Sequence, residues 1–241
     1  MFTPPVTESA AVNKLLAALP GPEYDRLRPH LEPVALAPKQ VLFEPGDTIT
    51  HVYFPAGSMV CTVLVLDDAS METGIVGSEG MVGLPIFLGS NIAFSRALVP
   101  SPGPALRIKA EAFRSEVGRD SAIHDLLQRY TDYFLAMVSY TAACTRFHSV
   151  HQRCCYWLLM MHDRVGADQF GLTQEFLSHM LGVRRAGVTE VARKLQQAGL
   201  IRYRWGQITM LDRPGLEAAC CECYGHVRAK YDLVFPGGGA R

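Results

Sequence analysis

The stretch from Leu172 to Leu195, LTQEFLSHMLGVRRAGVTEVARKL, constrains the fold of this chain more than any other. Apolar residues recur at helical spacing on both sides of Gly182, a residue that can adopt the positive φ of a tight interhelical turn. Thr173 is a suitable N-cap for the first helix. The stretch therefore predicts two short amphipathic helices, the second opening with Arg184 and Arg185. This is the helix-turn-helix arrangement that places one helix in a DNA major groove.

The polar residues that these helices leave exposed are the candidate DNA contacts. Arg185 lies near the start of the second helix and suits bidentate contact with a guanine. Two short β-runs that meet at Gly206 predict a hairpin wing, on which Trp205 and its basic neighbours can contact phosphate. The expected DNA-binding residues are Thr173, Gln174, Arg184, Arg185, Thr189, Glu190, Arg193, Lys194, Arg202 and Arg204.

Positive charge is concentrated in this part of the chain. The chain as a whole has 23 basic and 23 acidic residues. Between residues 184 and 213 the only acidic residues are Glu190 and Asp212, and the basic ones are Arg184, Arg185, Arg193, Lys194, Arg202, Arg204 and Arg213. DNA binding needs local rather than global positive potential, so this distribution favours a DNA-binding domain.

The remaining composition is typical of a folded cytoplasmic protein. Apolar residues make up 49% of the chain and charged residues 19%. We find neither an apolar run of about 18 residues nor a secretory leader, so we expect no contact with a membrane. The seven cysteines are an odd number with two adjacent pairs, a usage that favours reduced thiols over a disulfide framework.

The chain before the helix-turn-helix divides into a β-rich part and a helical part. Short β-runs separated by turn signals between Pro33 and Ile108 predict an antiparallel sandwich or small barrel. A long helix follows from about Ser121, with two apolar stripes. The first stripe is Ile123, Leu127, Tyr130, Phe134, Met137, Thr141 and Cys144, and the second is Leu126, Tyr133, Tyr140 and Phe147. We interpret this as a dimer helix, one stripe facing a partner; a core helix of a monomer is the alternative.

These elements define an α+β fold with three parts. The first is an N-terminal antiparallel β-sandwich or jelly roll, resembling a cyclic-nucleotide-binding domain, over residues 1–120. A dimerisation helix over residues 121–148 connects it to a C-terminal winged helix-turn-helix domain over residues 149–241. A further helix over residues 152–163 and a closing helix from Pro214 to about Tyr231 are expected inside the last part.

This order of elements, together with the segments 172–175 and 181–185, resembles the Crp/Fnr family of transcription regulators over nearly the whole chain. The resemblance implies a homodimer that binds inverted-repeat promoter DNA and recruits or blocks RNA polymerase. Ala186 and Glu190 align with positions where the family often has Glu and Arg on base edges. We therefore expect a different target sequence.

The resemblance also indicates where an effector would bind. Cyclic-nucleotide-binding members have a Gly-Glu-x-Gly turn and a later Arg-Ser or Arg-Thr pair. The matching effector-pocket positions here are Gly80, Met81, Gly83, Ser95 and Arg96. Methionine replaces the carboxylate, and an arginine displaced by one residue along a strand points to the opposite face. We therefore expect the nucleotide anchors to be lost and the effector to be an unknown small molecule.

No cofactor and no metal site is predicted. His148, His151 and Cys154 would share one face of a continuous helix, but buried cysteines and hinge histidines explain them more simply. Cys220-Cys221-x-Cys223 lacks a matched second ligand pair, so zinc is not predicted, while a haem ligand among the eight histidines stays open. The chain contains no nucleotide-loop or hydrolase motif, so we do not expect an enzyme. The alternative function is a small-molecule-binding signalling module whose winged helix makes protein contacts.

Overall fold

The structure is a computed structural model that describes residues 13–118 and 121–236. Its helices are α1 (Lys14–Ala17), α2 (Gly21–Leu27), α3 (Leu84–Phe87), α4 (Ala110–Glu116), α5 (Ala122–Phe147), α6 (Val150–Val165), α7 (Gln174–Leu181), α8 (Arg185–Gln197), α9 (Arg213–Ala219) and α10 (Cys223–Val234). Its strands are β1 (Glu32–Leu36), β2 (Val41–Phe43), β3 (His51–Pro55), β4 (Met59–Val65), β5 (Ser70–Val76), β6 (Arg96–Ser101), β7 (Gly103–Lys109), β8 (Gln169–Gly171), β9 (Ile201–Arg204) and β10 (Gln207–Met210).

The chain forms two compact units. Of the described residues, unit 1 contains those up to 60 together with 76–128, and unit 2 contains 61–75 together with 129–236. The order of an N-terminal antiparallel sheet domain, a long helix and a C-terminal helix-turn-helix confirms the predicted fold class.

The core of unit 1 is built on antiparallel strands. Strands β1, β7 and β3 form one sheet in that order, and β2 pairs with β6. Val52 on β3 pairs with Ile108 on β7, and both side chains are fully buried. The sequence did not single out β1, whose Pro33 pairs with Leu106. Proline is tolerated there because β1 is an edge strand, so the missing N–H faces away from the ladder.

Strands β4 and β5 form a hairpin that belongs mainly to unit 2. The amide of Leu66 donates to the carbonyl of Ala69 across its turn, at 2.8 Å. Gly74 on β5 packs against the ring of Phe134 on α5, where a Cβ atom would approach to 3.0 Å. A larger residue at this position would force the hairpin away from the helix.

The long helix α5 confirms the predicted helix, and burial distinguishes the residues of its two stripes. Five of the seven residues of the first stripe are buried, namely Ile123, Leu127, Tyr130, Met137 and Cys144. In the second stripe, Leu126 and Tyr133 are buried as well. The ring of Tyr133 lies against Tyr231 of α10, and Tyr140 stacks on His226 of the same helix. The chain's own last helix therefore contacts part of the second stripe, whereas Phe147 at its end is 77% exposed.

Two helix boundaries also differ from the sequence-based expectation. Helix α5 ends at Phe147, and Ser149 starts α6 with a capping box closed by Gln152. His148 therefore does not share a continuous helix with His151 and Cys154. The expected closing helix is in fact α9 and α10, because the backbone becomes extended at Cys220, with ψ of 167°.

Across the described residues, the structure contains no helix that is both long enough and apolar enough to cross a membrane.

Candidate DNA-binding interface

Helices α7 and α8 form the predicted helix-turn-helix. The hydroxyl of Thr173 accepts the amide of Phe176 at 3.1 Å and thereby caps the start of α7. Gly182 ends that helix in the left-handed conformation, with φ of 61°. Arg153 of α6 donates to the carbonyl of Leu181, which is one of the carbonyls left unpaired by the end of α7. The turn is therefore fixed both by its own glycine and by a neighbouring helix.

Burial separates the two faces of the motif as the apolar spacing predicts. Leu177, Met180 and Leu181 are buried on α7. Val188, Val191 and Leu195 are buried on α8. The opposite face of α8 is exposed, and it carries the arginines expected to contact DNA.

Two of those arginines lie at the start of α8. Arg184 is the N-cap residue and Arg185 the first residue of the helix, and both are exposed. Within residues 13–118 and 121–236, neither guanidinium has a carboxylate or hydrogen-bond partner. These two positive charges are thus available to an anion or to a base edge.

The other expected contacts on these helices are engaged with each other. Thr189 donates to the side-chain oxygen of Gln174 at 2.9 Å. Lys194 pairs with Glu190 at 2.8 Å, and its hydrogen bond holds the pKa of that carboxyl below its ordinary value. Arg193 donates to Gln197 at 3.2 Å, one turn further along the helix. The positive potential of α8 is therefore concentrated at its start.

Strands β9 and β10 form the predicted wing. Trp205 and Gly206 make its two-residue turn, with φ of 49° and 75°, as in a type I′ hairpin. A tryptophan is an unusual residue for positive φ, and this one is 95% exposed. Arg204 lies over its ring at 5.5 Å, while Arg202 is also exposed on β9. The tip of the wing thus presents an exposed aromatic ring with a guanidinium over it.

A cleft of about 420 Å³ separates the helix-turn-helix from the wing. Its lining is Thr173, Gln174, Arg185, Tyr203, Trp205 and Gly206. Tyr203 donates its hydroxyl to the carbonyl of Leu172 at 2.8 Å, and its amide donates to the side-chain oxygen of Gln196. Sequence reasoning did not select Tyr203, although its place between Arg202 and Arg204 is the kind of basic and aromatic alternation that marks such a surface.

The comparisons with known proteins agree with this geometry. Residues 152–219 match the family model described as the Crp-like helix-turn-helix domain. These residues, from α6 to α9, therefore resemble the DNA-binding domain of Crp-like regulators. No curated protein matches it by sequence.

Solved structures with the Crp/Fnr fold match most of the chain at low identity. FixK2 from Bradyrhizobium japonicum is 15% identical with a TM-score of 0.69, and the match covers 79% of this chain and 98% of that one. A Crp-family transcriptional regulator from Thermus thermophilus is 17% identical with a TM-score of 0.64, covering 80% and 96%. The c-di-GMP-responsive regulator CLP from Xanthomonas campestris is 18% identical with a TM-score of 0.60, covering 80% and 100%. These similarities establish the fold.

The five expected effector-pocket residues lie in unit 1, in different surroundings. Met81 is buried, and Gly83 has φ of 103° and starts α3. Ser95 is buried, whereas Arg96 pairs with Glu44 at 2.8 Å on the half-exposed side of β6. Gly80 is buried, and its carbonyl accepts a hydrogen bond from the side-chain amide of Asn13. The residue in the inward-facing position is thus a serine, and the arginine is held by a carboxylate of the protein itself.

A cavity in unit 1 of about 190 Å³ lies elsewhere. It is lined by Leu42, Phe43, Asp47, Thr48, Ile49, Thr50, His51 and Tyr53. None of the five expected positions is among these lining residues.

Unit 2 contains a buried carboxyl that sequence reasoning did not detect. Glu72 on β5 is 6% exposed, and it accepts a hydrogen bond from the indole of Trp157 on α6. Burial raises the pKa of Glu72 to about 7, although the Trp157 hydrogen bond and the charge of Arg164 act in the opposite direction. The Trp157 ring in turn meets Phe176 of α7 edge-on, with 6.1 Å between centroids. A titratable group is therefore linked by one side chain to the helix-turn-helix.

The structure also brings together a group of sulfur and nitrogen atoms that the sequence-based rejection of zinc overlooked. Cys221 and Cys223 lie beside Cys144 and His148, which supply the second ligand pair. These four residues are the thiol–imidazole cluster.

Proposed function

We propose that this chain is a transcription regulator that reads promoter DNA with α8. The observation that carries the proposal is the pair Arg184 and Arg185, exposed without a partner in the described structure at the start of α8. In a helix-turn-helix, the first residues of the second helix reach the base edges in the major groove. A binding function also agrees with a family whose solved members are described as regulators.

The hydrogen bonds and ion pairs of these side chains suggest which of them contact bases and which contact the phosphate backbone. Arg185 faces the cleft and is free to make a bidentate contact with guanine O6 and N7. Arg184 and the N-terminal end of α7, with Thr173 and Gln174, are suited to phosphate. On the wing, Arg202, Arg204 and Trp205 would contact the adjacent backbone. Thr189, Glu190, Arg193 and Lys194 are bound to neighbours, so we assign them positioning and backbone roles.

We further propose that the chain acts as a homodimer through α5. Leu126 and Tyr133 of the second stripe are buried and Tyr140 stacks on α10. One exposed row on α5 is Leu135, Ser139 and Ala142, at steps of four and three. Leu135 is 62% exposed. Small residues at the next two positions let two helices approach closely, and an apolar residue at heptad spacing supplies burial. A two-fold dimer would then bind an inverted repeat and present a surface to RNA polymerase in the cytoplasm.

The effector we propose is a small molecule other than a cyclic nucleotide. A cyclic phosphate needs a positively charged partner where it is buried. Here the candidate arginine, Arg96, is already paired with Glu44. Met81 provides no carboxylate for a ribose hydroxyl.

The test is a matched pair of substitutions on one helix, measured on a DNA site that the protein enriches. Arg185→Ala should lose about 1–3 kcal/mol of binding free energy at one base pair and relax the preference there. Arg193→Ala also removes one positive charge from α8, about two turns away, and should weaken binding to all DNA sequences by the same factor. If Arg185→Ala also weakens every sequence uniformly, Arg185 is a phosphate contact and the assigned reading of bases by α8 is wrong.

The alternative is a small-molecule-binding signalling module whose winged helix makes protein contacts, and the exposure of Trp205 is the one observation that favours it. It predicts that the chain enriches no DNA sequence, whereas a wing that lies on the DNA backbone loses DNA affinity with Trp205→Ala.

A further inference from the structure

The thiol–imidazole cluster lies where two distant parts of unit 2 meet. Cys144 is in the last turn of α5, and His148 follows that helix, its amide bonded to the carbonyl of Cys144. Cys221 lies in the break between α9 and α10, and Cys223 is the first residue of α10. The three cysteines are buried and His148 is mostly covered, with 15% of its side chain exposed.

The ligand atoms of the cluster have the spacing of a tetrahedral metal site. All four lie within 4.8 Å of one another. The Sγ atoms of Cys144 and Cys221 are 3.5 Å apart, and Sγ of Cys223 is 3.6 Å from Nδ1 of His148. With zinc–sulfur bonds of about 2.3 Å and zinc–nitrogen bonds of about 2.0 Å, the edges of a tetrahedron are about 3.8 Å and about 3.5 Å. The two separations in the structure, 3.5 Å and 3.6 Å, are close to these values.

The same separations show that the sulfurs are not bonded to one another. A disulfide needs about 2.05 Å between its sulfurs, and the cysteines are free thiols. Burying three thiols and an imidazole in one place is a poor way to fill an apolar core, since aliphatic side chains would do so without polar atoms. A cation at their centre gives every one of these atoms a partner.

A second observation concerns the tautomer of His148. Its Nε2 atom lies 3.3 Å from the carboxylate of Glu222, to which it can donate a hydrogen bond. The ring then keeps its proton on Nε2, and the Nδ1 lone pair faces Cys223 and the centre of the cluster. Metal-binding histidines are usually oriented in this way by an outer carboxylate, which fixes the tautomer and raises the basicity of the ligand. The chain between Cys221 and Cys223 thus supplies two ligands and the group that orients a third.

We propose that the cluster is a zinc site, with Cys144, His148, Cys221 and Cys223 as its four protein ligands. Three thiolates and one neutral imidazole form a closed coordination sphere, which is typical of structural rather than catalytic zinc. Binding releases the protons of the thiols that were not already ionised.

The site would fix α10 against the end of α5. The two helices also meet through Tyr140 and His226, stacked with 5.0 Å between ring centroids, and through Lys230 and Asp132 at 2.7 Å. Zinc would join the start of one helix to the end of the other, so its removal should loosen α10 first. This inference does not depend on DNA binding, because it is tested by metal content and spectroscopy.

The experiment measures metal in the full chain purified under reducing conditions from medium supplied with zinc. We expect one zinc per chain. After chelation, titration with cobalt(II) should give the thiolate-to-metal charge-transfer absorption and the intense visible bands of a tetrahedral cobalt site. Zinc should displace the cobalt, and rebinding should restore the melting temperature lost on chelation.

The control lies beside the ligands in the sequence. Cys220 is not one of the four, since its thiol faces the carbonyl of Gln152 at 3.9 Å. Cys220→Ser should keep zinc and the cobalt spectrum, whereas Cys144→Ser and Cys223→Ser should lose stoichiometric zinc. Glu222→Gln should keep the ligands but weaken binding by about 10- to 100-fold.

Three results would overturn the proposal. One is a wild-type chain that has no zinc and shows no tetrahedral cobalt spectrum, a measurement that needs no variant to fold. Another is a Cys220→Ser variant that loses metal as completely as Cys144→Ser. The third is a Cys144–Cys221 disulfide in metal-free protein purified in parallel without reductant, which would make the pair a redox element instead.

Discussion

The protonation of Glu72 provides the most quantitative prediction, and the substitution that tests it is Glu72→Gln. The carboxyl is buried between β5 and α6 with the indole of Trp157 as its donor. Glutamine has nearly the same shape and can still accept that hydrogen bond through its side-chain oxygen, but it cannot ionise. The substitution therefore removes a charge from the interior while keeping the packing of the hairpin on the helix.

The magnitude follows from the pKa. Burial raises the pKa of Glu72 from 4.5 to about 7. Between these pH values the folded chain keeps a proton that the unfolded chain has lost. The free energy of unfolding therefore falls as pH rises through this window and becomes flat above about pH 7. Across this pH window the free energy of unfolding should fall by about 3 kcal/mol in total. Glu72→Gln should abolish this slope and should be more stable than the wild type at pH 8 by up to that amount.

The assay is urea unfolding at pH 5, 6, 7 and 8, followed by the fluorescence of buried Trp157. A Trp205→Phe background removes the signal of the other tryptophan without touching the core, because Trp205 is almost fully exposed. Trp157→Phe removes the donor that lowers the pKa of Glu72, so it should extend the pH-dependent window upward. Because this variant lacks the fluorescent probe, its unfolding is followed by circular dichroism. If the free energy of unfolding has the same pH dependence in the wild type and in Glu72→Gln, the argument is refuted. The pKa of the carboxyl would then be the same in the folded and the unfolded chain.

Two further predictions concern the turn of the motif and the sensor. Gly182→Ala should lower stability by about 1–2 kcal/mol because alanine resists the positive φ at this C-cap. Gly187→Ala should instead raise stability by about 0.5–1 kcal/mol, because it lies inside α8 and a Cβ there would make only ordinary contact with Val183, at 3.9 Å; calorimetry of the two variants checks both signs. Cyclic AMP and cyclic GMP should leave the melting temperature unchanged, and a shift equivalent to about 2.7 kcal/mol at 100 times a measured Kd would contradict the loss of the nucleotide anchors.

The elements that the sequence predicted best are those whose signal is local. The caps at Thr173 and Gly182, the apolar spacing of α7 and α8, and the glycine of the wing turn each depend on neighbours within a few residues. Such local preferences agree with the global fold in this domain, so they could be read without the structure.

Features created by contacts between distant segments were missed. The second stripe of α5 has a helical period, but periodicity cannot show that Tyr231 and His226 of α10 cover it. The segment around Cys220 has no strong helix breaker, and tertiary contacts decide that α9 ends there. The thiol–imidazole cluster brings together Cys144 and Cys221, which are 77 residues apart. The local sequence around either cysteine does not indicate that the two lie close together. Glu72 and Trp157 are separated by 85 residues in the same way.

The most direct test of the central claim is the selection of genomic DNA fragments by the purified full chain at a stated salt concentration, followed by footprinting of the enriched site. Salt must be stated because phosphate contacts make binding steeply salt-dependent. A dimeric regulator should enrich a two-fold-symmetric site and protect two half-sites about one helical turn apart, about 10 base pairs centre to centre. Enrichment of no sequence over random DNA, or protection of a single asymmetric half-site, would contradict the account.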